Sequence, residues 1–268
     1  MMLSRDYIAH VERSGTLLWE LTKREILGRY RGTQMGMLWA LITPFFMLLI
    51  YTLAFGYILK SRWPGAGGSY SDFAMILFAG LVIHSFFAEC FVRASGVIVG
   101  NANYVKKVVF PLQTLVWSMV FSALFHLLIN FIVLILMRLI LHGGIPWTVL
   151  LAPIVFIPLL LLTTGVSLIL AALGVYLRDI GQFANVVATA MLFLSSAIVP
   201  IDSVPGHVRW VFMINPLTFA INQCRDVVLW GRGLDWGGLG WYAMIAVAVL
   251  AIGCFVFEKT RKGFADVL

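Results

Sequence analysis

The run from Val108 to Met137 contains no charged residue, and neither does the run from Gly32 to Leu59. At about 1.5 Å of rise per helical residue, either run is long enough to cross the roughly 30 Å hydrocarbon core of a bilayer. Composition agrees: 61% of the 268 residues are hydrophobic, 12% are charged and the mean hydropathy is +0.96. Soluble domains are about 45–50% apolar and about 25% charged. A polytopic, all-α membrane protein is expected. The formal charge of +7 then reads as basic loops held on the cytoplasmic side rather than as a nucleic-acid surface. Cys90, Cys224 and Cys254 form no CxxC and no metal-ligand spacing, so neither a disulfide framework nor a metal centre is expected.

Six spans are expected, at 32–59, 73–99, 109–137, 148–177, 180–201 and 239–257. Residues 1–31 precede them, mixed and basic. Gly15 to Arg31 has an imperfect apolar stripe and suits a helix lying along the inner interface, with Trp19 and Tyr30 at headgroup level. No cleavable signal peptide is read there, so the first span is expected to insert uncleaved. Pro44 is expected to kink that span. Lys60, Arg62, Pro64 and the glycines of 65–68 form a loop on the far side. Near the inner end of the second span, Glu89 and Arg93 share a helix face at i,i+4 and are expected to pair. His84 lies on the same span. His126 and Asn130 on the third span read as hydrogen-bonding groups between spans. GxxxG occurs at Gly32/Gly36, Gly96/Gly100 and Gly233/Gly237, in each case away from a span centre.

Region 202–238 is too polar for another crossing yet rich in aromatics. Asn215-Pro216 is a helix start, with Asn as N-cap and Pro at the first helical position. Gly231 fits just past the end of that helix. Two short amphipathic helices are expected, at about Pro205–Met213 and Pro216–Trp230, dipping into the outer leaflet and returning. Non-helical turns at such depth persist only where protein or a wet cavity covers them, so this element should border a pathway. The tail, 258–268, is basic and short.

Asn101 to Pro111, NANYVKKVVFP, is a polar and basic island between two apolar runs. Its lysines cannot sit in hydrocarbon. Arg93, Lys106, Lys107, Arg178, the tail (Lys259, Arg261, Lys262) and the basic N-terminal segment share one side and hold the majority of the Lys and Arg. That places both termini, the island and Arg178-Asp179 in the cytoplasm. The chain has no GxxxxGK[ST], HExxH or GxSxG and no paired intramembrane acids, so neither a nucleotide cradle nor a catalytic constellation is expected. Six spans and one cytoplasmic handle suit a translocation subunit driven by another chain, not an enzyme.

The chain resembles the permease subunits of polysaccharide-exporting ABC transporters of the ABC-2 type, the O-antigen and capsule exporters. The resemblance rests on RYRGTQMGMLWALITP (Arg29–Pro44), NANYVKKVVFP, LRDIGQ (Leu177–Gln182), INPLTFAINQCRD (Ile214–Asp226) and KGFADVL (Lys262–Leu268). It implies a homodimer joined to two copies of a separate cytoplasmic ATPase, which would carry the ATP and magnesium; this chain would hold no cofactor. It further implies that the helix of Asn101, Ala102, Asn103, Tyr104, Val105, Lys106 and Lys107 docks on that ATPase, with Arg178 and Asp179 as a second contact. The helices bearing Trp210, Asn215, Pro216, Arg225 and Asp226 would be periplasmic gate helices. The polymer would pass between the two copies, along the first and fifth spans.

Aromatic rings stack on the apolar faces of sugars without fixing one register, which permits sliding. Trp39, Phe45, Phe46 and Tyr51 on the first span and Phe193 on the fifth are the candidates. If the cargo rides on a lipid diphosphate, Arg29 and Arg31 are placed to meet it, although positive-inside anchoring to lipid accounts for them equally. The alternatives are an ABC-2 exporter of a small molecule such as a drug or haem, a teichoic-acid exporter, and a passive channel or scaffold without an ATPase.

Overall fold

A computed structural model describes the backbone of residues 2–58, 63, 70–107 and 110–268, and their side chains apart from those of 2–14, 55–57, 70 and 106–107. The expected loop at Lys60, Arg62, Pro64 and 65–68, the span positions Leu59 and Val109, and the side chains of Lys106 and Lys107 lie outside the described residues. No strand occurs among the described residues.

The α-helices follow one another as α1 (Met2–Tyr30), α2 (Trp39–Tyr51), α3 (Tyr70–Val97), α4 (Ala102–Lys107), α5 (Gln113–His142), α6 (Ala152–Tyr176), α7 (Ile180–Phe193), α8 (Arg209–Ile214), α9 (Pro216–Val228), α10 (Trp236–Thr260) and α11 (Phe264–Val267). Among the described residues, five stretches are long and apolar enough to cross a membrane: Gly36–Ala54, Ser71–Val97, Gln113–His142, Trp147–Tyr176 and Trp236–Val267. The stretch expected as a fifth crossing at 180–201 is a shorter apolar helix, α7, that stops at Phe193.

The cause of that stop is local. Ser195 donates its hydroxyl to the Leu192 carbonyl at 3.1 Å and accepts from the Ala197 amide at 3.2 Å. Serine that bonds its own backbone in this way competes with helix continuation. The carbonyls released at Ser196 and Ala197 are taken by Arg225 of α9.

Helix α3 is the hub, packed on α5, α6, α7 and α9, and α6 makes its most extensive contact with α10. Small residues bring α6 and α10 together: a Cβ on Gly253 would lie 2.3 Å from the Gly165 carbonyl oxygen. Backbone therefore meets backbone, the close approach that small residues permit in membranes. Neither glycine belongs to a GxxxG sequence. By contrast α2 keeps Leu41, Phe45, Phe46 and Leu49 exposed, and α7 keeps Phe183, Val186 and Phe193 exposed.

Helix ends follow the sequence signals in part. Asn215 caps α9 by accepting from the Leu217 amide at 3.0 Å, with Pro216 in the first turn, and Gly231 adopts φ +65° just beyond that helix. Asp235 caps α10 by accepting from the Gly238 amide at 3.0 Å. Asn101 donates its Nδ2 back to the Val97 carbonyl at 2.9 Å and closes the end of α3.

Candidate functional site

Two left-handed glycines, Gly32 (φ +86°) and Gly36 (φ +51°), reverse the chain between α1 and α2. The Thr33 hydroxyl tightens the reversal by donating to the Tyr30 carbonyl at 2.8 Å. The last turn of α1 and the first turns of α2 share a cavity with residues of α3 and α5. It measures about 390 Å³ and is lined by Arg29, Tyr30, Trp39, Tyr51, Glu89 and His126 among others. Thr43, Ser85 and Asn130 add polar atoms to its wall.

Glu89 organises the charged side. Its carboxylate accepts from Arg29 at 3.1 Å and from Arg93 at 3.0 Å. Arg93 also reaches Glu25 of α1 through its second nitrogen. Two guanidiniums thus face two carboxylates, so each of these half-exposed charges has an opposite partner. His126 completes the cluster: its Nδ1 lies 2.9 Å from Arg29 and its Nε2 lies 2.8 Å from the Tyr30 hydroxyl. Burial raises the Tyr30 phenol above its ordinary value, with Arg29 opposing, so Tyr30 stays a neutral hydroxyl. The arrangement has no nucleophile–base pair. It offers aromatic rings beside a charged and amide-bearing wall, which suits reversible binding of a polyhydroxylated chain or of an anion.

The structure brings together some of the residues singled out in the sequence and disperses others. Arg29, Trp39 and Tyr51 share the cavity with Glu89 and His126. Phe45 and Phe46 are exposed on α2 and do not line the cavity, and Phe193 is exposed at the end of α7. Arg31 borders a separate crevice with Lys23 and Arg24. His84 bonds the Ala188 carbonyl at 3.0 Å and ties α3 to α7. Glu25 and Tyr30, which sequence reasoning did not select as site residues, are integral to the cluster. Tyr30 adjoins Arg29, but nothing local to Glu25 reveals a partner 68 positions away.

Around α4, Asn103 is exposed, while Ala102 and Val105 are half-buried. Tyr104 turns inward: it accepts from Arg24 at 2.9 Å and packs on Phe110 with ring centroids 4.7 Å apart. Arg178 and Asp179 form an exposed turn between α6 and α7. The short α11 contacts both α4 and α6, with Phe264 buried against Tyr176 and Phe257.

In the α8–α9 region Trp210 is exposed, whereas Arg225 is fully buried. Arg225 donates to the carbonyls of Ile76, Ser196 and Ala197 at 2.9, 2.6 and 2.9 Å and stacks over Trp63 at 4.5 Å. A Cβ on Gly80 would lie 2.7 Å from that guanidinium. Asn215, besides capping α9, donates to the carbonyls of Met191 and Leu194. Asp226 pairs with Arg232 at 3.5 Å. Burial holds its carboxyl above the usual aspartate value, the Arg232 charge acting the other way.

The described residues form a helical bundle with five stretches long and apolar enough to cross a membrane and a helix, α7, whose end is held by α9. The chain belongs to the ABC-2 type transporter family, which it matches over residues 16–229. It is 25% identical over 257 residues to the O-antigen export system permease protein RfbA of Klebsiella pneumoniae, covering 94% of this chain and 95% of that protein. It is 25% identical over 252 residues to the protein of the same name from Myxococcus xanthus, covering 93% and 94%. Polysialic acid transport protein KpsM of Escherichia coli is 24% identical over 252 residues, covering 89% and 91%. The chain is a multi-pass protein of the inner membrane.

Proposed function

We propose that this chain is the permease subunit of an ATP-driven exporter that carries lipid-linked polysaccharide, of O-antigen or capsule type, from the cytoplasm across the inner membrane. It works as a homodimer with two copies of a separate cytoplasmic ATPase, which supplies the nucleotide and magnesium sites. The observation that carries the reading is its likeness, over almost the full length of both chains, to permeases named for O-antigen export. The cavity at the α1–α2 reversal supports it, since Trp39 and Tyr51 give sugar faces something to stack on beside Arg29 and Glu89. In this reading α7 and the turn after it, closed by α8 and α9, complete a sixth crossing, both termini face the cytoplasm, and α8 and α9 gate the periplasmic side. Helix α4 meets the ATPase, with Arg178 and Asp179 as a second contact. Arg29 and Arg31 meet the diphosphate of the lipid carrier.

The test is a strain lacking this gene, complemented with wild type or with Lys106→Glu/Lys107→Glu. Wild type is expected to restore surface polysaccharide and to co-purify with an ATPase. The double variant should reach the membrane yet lose both. Full surface polysaccharide in the deletion strain, or an exporter that runs without any co-purifying ATPase, would sink the proposal.

A further inference from the structure

Between α1 and α5 runs a second groove, of about 560 Å³, whose wall is almost wholly apolar. Leu18, Trp19 and Leu27 line one side and Phe121, Phe125 and Leu128 the other. Trp19, Leu27 and Leu128 remain exposed, at 65%, 47% and 44%. Next to it, sharing Lys23, Leu27 and Met37, lies a crevice of about 600 Å³ bordered by Lys23, Arg24 and Arg31, with Glu20 as its one acid. Among the described residues none of these three cations forms an ion pair. A greasy slot opening beside a net-positive crevice, on a helix at the membrane surface, is complementary to an amphiphile with an anionic head.

We propose that this groove holds one anionic glycerophospholipid, an acyl chain lying between α1 and α5 and the phosphate against Lys23 at the groove's edge. The occupant is a resident bilayer lipid rather than cargo. The groove and the Glu89 cavity share no lining residue: Arg29 and Tyr30 of α1 with His126 and Asn130 of α5 line the cavity, whereas Leu18, Trp19, Thr22 and Ile26 with Phe121, Leu124, Phe125 and Leu128 line the groove. The lipid would fasten α1 to α5 where only side-chain contacts between the two helices otherwise do so. The site does not depend on what the transporter carries.

The experiment uses the full chain purified in detergent and supplied with phosphatidylglycerol or phosphatidylcholine bearing a photoreactive acyl chain. Cross-linked peptides are then mapped and counted. Label is expected on residues 15–28 and 121–128, with phosphatidylglycerol favoured. A basic side chain at the surface is worth about fivefold in anionic-lipid binding, so Lys23→Glu should erase most of the preference. Leu124→Trp, which fills the slot, should remove label from both segments. Lys23 is exposed, so its variant reports even if the bulkier one misfolds. Equal labelling by the two lipids, label confined to other segments, or displacement of phosphatidylglycerol by an equimolar polyprenyl diphosphate would each overturn the proposal; the last would make the groove a cargo portal.

Discussion

The guanidinium of Arg225 lies 2.6 Å from the carbonyl oxygen of Ser196, 29 residues away in the chain. With its bonds to Ala197 and Ile76, this one side chain serves carbonyls from the broken end of α7 and from α3. Irregular backbone at membrane depth survives only if its polar atoms are satisfied within the protein. Arg225→Met should therefore cost several kcal/mol, about 1–3 for each carbonyl left without a donor. Arg225→Lys, with a single ammonium in place of the fork, should fall between. Thermal unfolding of detergent-solubilised protein checks this; a methionine variant as stable as wild type contradicts it.

The Glu89 cluster makes a prediction about coupling rather than about one residue. Glu89→Gln leaves Arg29 and Arg93 facing each other across a neutral amide. The expected loss is about 1–2 kcal/mol, below that of a fully buried pair because both partners are partly exposed. In a cycle with Arg29→Ala the two losses should fail to add by at least about 0.5 kcal/mol. Strict additivity would mean that the pair contributes nothing.

Packing of α6 on α10 can be tested at Gly253. Gly253→Ala forces a methyl group onto the Gly165 carbonyl, where only backbone stands. Overpacking of this kind costs about 1–3 kcal/mol, and Gly253→Leu should prevent stable insertion. Membrane abundance and melting temperature of the two variants give the answer; unchanged values would exclude direct backbone contact.

Asp226 supplies a pH dependence. Its carboxyl is raised in the folded protein, burial outweighing Arg232. The folded state thus holds its proton to higher pH than the unfolded chain does. The contribution of this group to stability is greatest below the ordinary aspartate value and declines as pH rises through the folded one. Asp226→Asn should remove that decline, so the variant gains on wild type as the pH rises from acid toward neutral in a series of melting curves. A constant difference across the series refutes the assignment.

How much of this was readable in the sequence depends on the range of each interaction. The cap at Asn215, the first-turn Pro216 and the left-handed Gly231 are local, and the sequence announces them. The Glu89–Arg93 pair is local too, four residues apart on one helix. Arg225 was recognised as part of the α9 element, but its partners are main-chain atoms at positions 76, 196 and 197, and carbonyl groups leave no mark in a sequence. The early end of α7 was hidden because 180–201 is uncharged throughout, and the side chains that serve its freed carbonyls, Asn215 and Arg225, come from α9 and its cap. Trp39 and Tyr51 line the cavity and Phe45 and Phe46 do not, a division that composition alone does not reveal. Gly165 and Gly253 meet across 88 residues without any shared motif.

That meeting has a corollary for movement. Two rods pressed together along bare main chain leave no slack between them, so α6 and α10 shift as a single plank. In the proposed exporter any widening would fall instead on α2 and α7, which display uncovered rings.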